Sequence, residues 1–88
     1  MKTEFLKQFY KDLDKIPSQS TLKDINDSII NVEEALLLHD IRSLKKLTGY
    51  KNVYRIKIGN YRIGVFIDNS IVEFARVVHR KDIYRVFP

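Results

Sequence analysis

The sequence of 88 residues predicts an α+β fold, in which an N-terminal helical hairpin packs on one face of a small antiparallel β-sheet. Two patterns along the chain predict this fold. Apolar residues recur at steps of three and four in residues 1–40, which is typical of amphipathic helices. From residue 53 onwards they alternate with polar residues, which is typical of strands with one buried face. A chain of this length supports one small core, so we expect residues 1–88 to form a single domain.

The first half is predicted to contain a short strand and two helices. Residues 2–6 are expected to form the strand, followed by a helix over about residues 7–15 that ends before Pro17. A second helix is predicted over about residues 20–38. Its apolar stripe consists of Leu22, Ile25, Ile29, Val32 and Leu36. Because the turn between the two helices is short, they are expected to form an antiparallel hairpin.

The second half is predicted to be a meander of three strands, over residues 53–58, 61–67 and 71–78. Gly59-Asn60 separates the first two strands, and both residues tolerate the positive φ of a two-residue hairpin loop. Residues 83–88 form a largely apolar tail that closes the chain. Four tyrosines outside this tail are expected to be packing residues: Tyr10, Tyr50, Tyr54 and Tyr61.

The two-residue loop fixes which residues of the hairpin lie opposite each other. Lys57 pairs with Arg62 and Arg55 pairs with Gly64, and paired residues share a face of the sheet. Arg55, Lys57 and Arg62 therefore project from the face opposite the apolar one. Like charges opposite each other cost some tenths of a kcal/mol, about 0.2–1 kcal/mol for a cross-strand pair. An ordinary solvated face would mix signs, so three cations without an acid favour an anion-binding site.

The third strand contributes to this basic face in a way that depends on the second turn. A three-residue loop at 68–70 would place on it Phe74, Arg76, Val78 and Arg80. A two-residue loop would instead place on it Ala75, Val77 and His79. A β-bulge would change, midway along the strand, which alternate residues lie on the basic face. The sequence leaves these arrangements open, so both His79 and Arg80 are candidate site residues.

Positive charge is concentrated in the second half of the chain. Residues 1–40 hold five lysines and eight acidic residues, whereas residues 41–88 hold eleven lysines and arginines and only three acidic residues. The formal net charge of the whole chain is +5. This asymmetry favours a polyanionic partner, with nucleic acid first and an acidic protein next.

Several classes of site and location are disfavoured by what the sequence lacks. It has no cysteine, which excludes a disulfide scaffold and thiolate chemistry, and its two histidines lie far apart. We therefore expect no metal and no cofactor. No apolar run is long enough to cross a membrane and the N-terminus has no secretory pattern, so a cytoplasmic location is expected.

Three segments of the second half together resemble the RelE/ParE superfamily of toxins from bacterial type II toxin–antitoxin modules. The segments are Leu44-Lys45-Lys46-Leu47-Thr48-Gly49, Tyr54-Arg55-Ile56-Lys57-Ile58-Gly59-Asn60-Tyr61-Arg62-Ile63 and His79-Arg80-Lys81-Asp82-Ile83-Tyr84-Arg85. The resemblance covers about residues 44–85. It implies a RelE-like fold and, for the RelE branch, cleavage of messenger RNA in the ribosomal A site through the ribose 2′-OH, without a metal.

The resemblance also implies a set of catalytic residues. They are Arg55, Lys57, Arg62, His79, Arg80 and Tyr84. Arg55 and Arg62 are expected to stabilise charge, and Lys57 to stabilise charge or act as a base. Tyr84 or His79 would orient or deprotonate the 2′-OH, and Arg80 would assist the leaving group. Some relatives have lysine at position 55, where an arginine stays charged and can only stabilise. Cations expected to contact RNA or the ribosome are Lys45, Lys46, Lys51, Arg76, Lys81 and Arg85.

Two rival functions stay open within the same superfamily. A ParE-like protein would poison DNA gyrase without catalysis, and a non-catalytic member would only bind RNA. The cationic set favours the RelE branch. The expected partners are the ribosome, mRNA and a cognate acidic antitoxin, with a monomeric free toxin and a toxin–antitoxin heterotetramer as the expected assemblies.

Overall fold

The computed structural model describes all 88 residues and has five strands and three α-helices. In chain order the elements are β1 (Lys2–Phe5), α1 (Lys7–Leu13), α2 (Gln19–Glu34), a 3₁₀ turn (Leu38–Asp40), β2 (Leu44–Lys46), β3 (Val53–Ile58), β4 (Tyr61–Asp68), β5 (Ile71–His79) and α3 (Ile83–Val86). The strands form one sheet in the order β1-β5-β4-β3-β2. The predicted α+β fold is confirmed. None of the helices combines the length and the apolar character that a membrane span requires.

The sheet is mixed rather than purely antiparallel, which corrects one part of the prediction. β1 runs parallel to β5, with Lys2 opposite Ile71 and Phe5 opposite Phe74. The other neighbouring strands are antiparallel. A second addition is β2, which pairs with β3 but has only three residues, too few for an alternating pattern to be visible in the sequence.

The second helix ends at Glu34, four residues earlier than predicted. The N–H groups of Leu36 and Leu37 donate to the carboxylate of Asp40, at 3.3 and 3.0 Å, instead of continuing the helix. Leu36, the last residue of the predicted stripe, is 85% exposed. The Asp40 side chain thus takes up N–H groups that would otherwise bond within the helix. The helix therefore ends at Glu34, although the apolar pattern continues to Leu36.

The main core lies between the two long helical segments and one face of the sheet. Strand residues Ile56, Ile63 and Val65 are fully or almost fully buried there against Ile25 and Val32 of α2. An aromatic cluster closes one end of this core, where the rings of Phe5 and Phe74 stack at 5.0 Å and those of Phe9 and Phe74 meet edge to face at 5.5 Å. The predicted apolar face of the hairpin is thus the face that carries the helices.

The opposite face of the sheet is only partly solvated, because α3 and Phe87 cover part of it. Ile83 and Phe87 pack there against Val53 and Ala75 in a second small core. The ring of Phe87 lies directly over Gly64, so closely that a Cβ at position 64 would be 2.6 Å from the ring. The space beside Arg55 that Gly64 leaves free of a side chain is therefore filled by the ring of a tail residue.

The third strand contains the bulge that the sequence left open. A two-residue turn at Asn69-Ser70 pairs Asp68 with Ile71, and the register then shifts between Gly64 and Val65 of β4. Beyond this bulge Arg62 lies opposite Val78, and Tyr61 lies opposite His79. The bulge changes, partway along β5, which residues face the helices. Neither the three-residue loop nor the two-residue loop therefore predicts the facing of the whole strand.

Candidate functional site

The predicted register of the basic hairpin is confirmed. Lys57 lies opposite Arg62 and Arg55 lies opposite Gly64. β2 adds a further cation, because Lys45 lies opposite Arg55 on its other side. We call the surface formed by Lys45, Arg55, Lys57 and Arg62 the cationic face. Its four side chains come from three adjacent strands and share one side of the sheet.

The arginines of the cationic face are held in place without being neutralised. The guanidinium of Arg55 donates to the carbonyl of Ser43 at 3.2 Å. That of Arg62 donates to the carbonyls of Gly59 and Tyr61, at 2.8 and 2.9 Å. None of the four cations forms a salt bridge with a carboxylate. Positive groups fixed by carbonyls and free of acidic partners are well suited to bind a phosphate.

A cleft of about 400 Å³ adjoins the cationic face and shares Lys45 with it. One wall is the connection between β2 and β3, and the other is α3 with the last two residues. The lining residues are Lys45, Lys46, Leu47, Thr48, Tyr50, Tyr84, Arg85, Phe87 and Pro88. We call it the tyrosine cleft, because Tyr50 and Tyr84 are 52% and 65% exposed. Four residues predicted to act on RNA meet here: Lys45, Lys46, Tyr84 and Arg85.

His79 and Arg80 end up in different surroundings. His79 lies opposite Tyr61, on the face that carries the helices, and the two rings meet edge to face at 5.8 Å. Its Nδ1 accepts a hydrogen bond from the N–H of Lys81 at 3.2 Å. The backbone N–H of Arg80 donates to the carbonyl of Asn60 at 2.7 Å. The backbone of Arg80 is therefore fixed at the hairpin turn that also holds Arg62, and its side chain is exposed, whereas His79 lies on the face opposite the cationic face.

Arg76 is engaged inside the fold. Its Nε and a terminal nitrogen donate to the carboxylate of Asp12 at 2.8 and 3.2 Å, and the N–H of Val77 donates to the same group at 3.0 Å. The Asp12 side chain is 2% exposed and that of Arg76 is 23% exposed. Burial alone would raise the pKa of Asp12, but hydrogen bonds from Arg76, Gln8 and Val77 together lower it. The charge of Arg76 is thus matched by a buried carboxylate.

The other predicted RNA contacts are exposed at the surface. Lys51 and Lys81 form no ion pair, and Arg85 is 3.1 Å from Asp82 in an exposed pair of little strength. The sequence did not single out Asp12, the buried partner of Arg76, or Tyr50, which lines the tyrosine cleft. Tyr50 was expected to pack, yet it lies half exposed in the tyrosine cleft. The polar segment Thr48-Gly49-Tyr50-Lys51-Asn52 is the signal that could have placed it in a surface loop.

Known proteins share this fold and sequence. The family described as ParE toxin of type II toxin–antitoxin system, parDE, matches residues 3–84. The toxin RelE3 of Methanocaldococcus jannaschii is 43% identical over the full length of both chains. A RelB–RelE antitoxin–toxin complex from Methanococcus jannaschii contains a chain with 40% identity and a TM-score of 0.79, with 97% of this chain and 99% of that chain covered.

A more distant structure shows the same fold in a bacterium. A chain of the Escherichia coli RelBE toxin–antitoxin complex has 18% identity and a TM-score of 0.70, with 89% of this chain and 94% of that chain covered. A chain of an archaeal RelE–RelB complex from Pyrococcus horikoshii has the same fold, with 17% identity and a TM-score of 0.73 over 93% of this chain and 97% of that chain. The family match over nearly the whole chain and the full-length relative at 43% identity together show that this chain belongs to the RelE/ParE family, as a RelE-like toxin of a type II toxin–antitoxin system.

Proposed function

We propose that this toxin is a ribosome-dependent endoribonuclease that cleaves mRNA through the ribose 2′-OH. The observation that carries the proposal is the cationic face, where Arg55, Lys57 and Arg62 meet without a carboxylate partner beside a cleft with an exposed Tyr84. Like charges that stay opposed across a hairpin at a cost in stability favour an anionic ligand at this face of the sheet. This arrangement fits an RNA phosphate whose oxygens gain negative charge in the transition state of cleavage.

The cleavage reaction needs charge stabilisation at one phosphate. The 2′-oxygen attacks the adjacent phosphorus, the bond from phosphorus to the 5′-oxygen breaks, and the products carry a 2′,3′-cyclic phosphate and a 5′-OH. Negative charge builds up on the phosphoryl oxygens as the new bond forms. Arg55 and Arg62 are fixed by backbone carbonyls, so they are already oriented before the RNA arrives.

Two protons must also move in this reaction, one from the 2′-OH and one to the 5′-oxygen. Tyr84 is exposed in the cleft and Lys57 on the cationic face, so either one is available to orient or deprotonate the 2′-OH. Arg80, whose backbone N–H donates to Asn60 in the hairpin turn, is the residue that we assign to assist the leaving oxygen. His79 shares the helix-carrying face with Tyr61, so its role in this scheme is to hold the β5 terminus rather than to transfer a proton.

The ribosome supplies what this shallow site lacks. The cationic face and tyrosine cleft contain no histidine and no carboxylate side chain, the groups that most often act as general bases at neutral pH. RNA held by the ribosome in a reactive conformation would raise the rate through orientation. This dependence rests on the resemblance to the RelE branch, and RelE is the name carried by the relative at 43% identity.

Purified protein mixed with translating ribosomes and a defined mRNA tests the proposal. We expect cuts at particular codons with the wild type, and a loss of cleavage of about 10²–10³-fold in Arg62→Ala, the usual effect of removing one group that stabilises a transition state. The fold should be unchanged or slightly more stable, because the repulsion between Arg62 and Lys57 is relieved.

Arg42→Ala is the matched control for this experiment. Arg42 is exposed and lies beside α2, with Asp27 and Glu34 lining the same hollow, away from the cationic face. This variant should cleave like the wild type. Full toxicity of Arg62→Ala at equal expression would contradict the site assignment. DNA breaks linked to gyrase, without mRNA cuts, would support the ParE-like function, and neither activity would support a non-catalytic RNA-binding protein.

The partner expected to restrain the toxin is an acidic antitoxin. Solved relatives are complexes of RelE with RelB, and residues 41–88 of this chain offer an excess of positive charge. Such a surface would speed capture by electrostatic steering. We expect the association rate of toxin and cognate antitoxin to fall by tenfold or more between about 50 mM and 500 mM salt, measured by stopped-flow fluorescence. A basic antitoxin, or an association rate that is insensitive to salt, would contradict this expectation.

A further inference from the structure

Tyr50 occupies a position that the proposed chemistry does not use. It lies in the loop that connects β2 and β3, which is closed by a hydrogen bond of 2.9 Å from the N–H of Leu47 to the carbonyl of Val53. Within this loop Gly49 and Asn52 have positive φ angles of 86° and 63°, so the chain turns sharply on both sides of Tyr50. Tyr50 lines the tyrosine cleft from this loop and is 52% exposed.

The surroundings of Tyr50 indicate a particular kind of ligand. Three tyrosines of this chain are at least half exposed, namely Tyr10, Tyr50 and Tyr84, and two of them line the same cleft. Neither cleft tyrosine has a side-chain hydrogen bond within the protein, so neither hydroxyl holds its ring in place. Lys45 and Lys46 stand beside them without acidic partners.

Exposed aromatic rings next to free cations are the means by which proteins bind single-stranded nucleic acid, since bases stack on the rings and phosphates bind the cations. The volume of about 400 Å³ is within the range of small-molecule sites and accommodates a single base. A purely structural tyrosine would instead bury its ring, as the partly buried Tyr54 and Tyr61 do against the main core.

We propose that Tyr50 is a stacking platform for one unpaired RNA base, in a subsite separate from the phosphate site on the cationic face. The inference rests on the proposed function in that it takes RNA as the ligand. It assigns to the loop over residues 47–52 a part in choosing or positioning the nucleotide next to the cleaved bond. Lys46 binds the phosphate of the same nucleotide, and Tyr84 remains the residue at the reacting ribose.

A single-stranded RNA hexanucleotide without a ribosome is the probe that tests this subsite. We expect the ring protons of Tyr50 to shift upfield in NMR spectra on titration up to about 1 mM RNA, and Tyr50→Leu to weaken binding by about tenfold, the effect of one lost stacking contact. Replacing each base in turn by an abasic site should weaken binding to the wild type at one position only. At that position, the abasic replacement should not weaken binding to Tyr50→Leu any further.

Tyr10→Leu is the matched control, because Tyr10 is 54% exposed on α1 and lies outside the cleft. It should bind the hexanucleotide like the wild type. Equal binding by Tyr50→Leu and the wild type, or no binding by the wild type at 1 mM, would overturn the subsite. Cleavage on ribosomes reports on the proposed function independently: a wild type that cleaves mRNA but does not shift the Tyr50 ring would leave that function standing without this subsite.

Discussion

Replacing Tyr84 with phenylalanine is expected to lower mRNA cleavage by about 10²–10⁴-fold, the usual contribution of a positioned proton-transfer group. The change removes one hydroxyl and keeps the ring. That hydroxyl has no hydrogen bond within the protein and the residue is 65% exposed, so the folded state loses no interaction. The measurement is single-turnover cleavage on saturating ribosomes, which separates the chemical step from binding. Binding to ribosomes and to antitoxin should be unchanged.

Tyr10→Phe provides the control for this variant, since it removes a similarly exposed hydroxyl from α1. It should cleave at the wild-type rate. A change smaller than about threefold in Tyr84→Phe, well below 1 kcal/mol in the barrier, would show that the hydroxyl takes no part in proton transfer. The role would then pass to Lys57.

A second large effect is expected from Asp12→Asn, this time on stability. The substitution keeps the shape of the side chain but removes the charge that balances Arg76, whose side chain is only 23% exposed. Breaking a buried ion pair by removing one partner costs about 3–5 kcal/mol, and the partial exposure of Arg76 places this case near the lower end. Urea unfolding followed by circular dichroism measures the loss. Asp14→Asn, at an exposed position just beyond α1, should leave stability unchanged.

The destabilisation by Asp12→Asn should depend on pH with a defined sign. Because the pKa of Asp12 is lowered from 3.8 on folding, the ionised carboxylate stabilises the native state above that pH. This contribution is lost as the pH falls below 3.8 and through the lowered pKa of the folded state. The difference in unfolding free energy between the wild type and Asp12→Asn should therefore narrow on acidification. A difference that stays constant from about pH 6 to pH 3 would refute the assignment.

The hairpin of β3 and β4 could be predicted residue by residue, because local chemistry determines it. Gly59-Asn60 permits one tight turn, and once that turn is set every pair from Ile58 and Tyr61 onward follows. Three of the four members of the cationic face could therefore be predicted from the sequence alone, whereas Lys45 lies on β2, which the sequence did not predict. Its members Arg55, Lys57 and Arg62 are where the register places them.

The features that could not be predicted depend on contacts between distant parts of the chain. At the bulge in β5, the carboxylate of Asp12 binds Arg76 and the N–H of Val77, residues 64 and 65 positions away. No local pattern encodes such a contact, so the positions of His79 and Arg76 stayed open. The parallel pairing of β1 with β5 likewise joins segments that are distant in the chain, Lys2–Phe5 and Ile71–Phe74, so no local pattern predicts it.

The close approach of Phe87 to Gly64 has a genetic consequence. Any residue other than glycine at position 64 carries a Cβ that would collide with the ring and displace the tail that bears Tyr84 and Arg85. A single base change in a glycine codon is enough to introduce alanine, valine, serine or a charged residue. Cells selected to survive this toxin are therefore expected to have an escape route at a residue that carries no side chain of its own. Mutants of that kind would keep every cation of the cationic face. A sequence comparison limited to those four residues would therefore classify an inactive toxin as active.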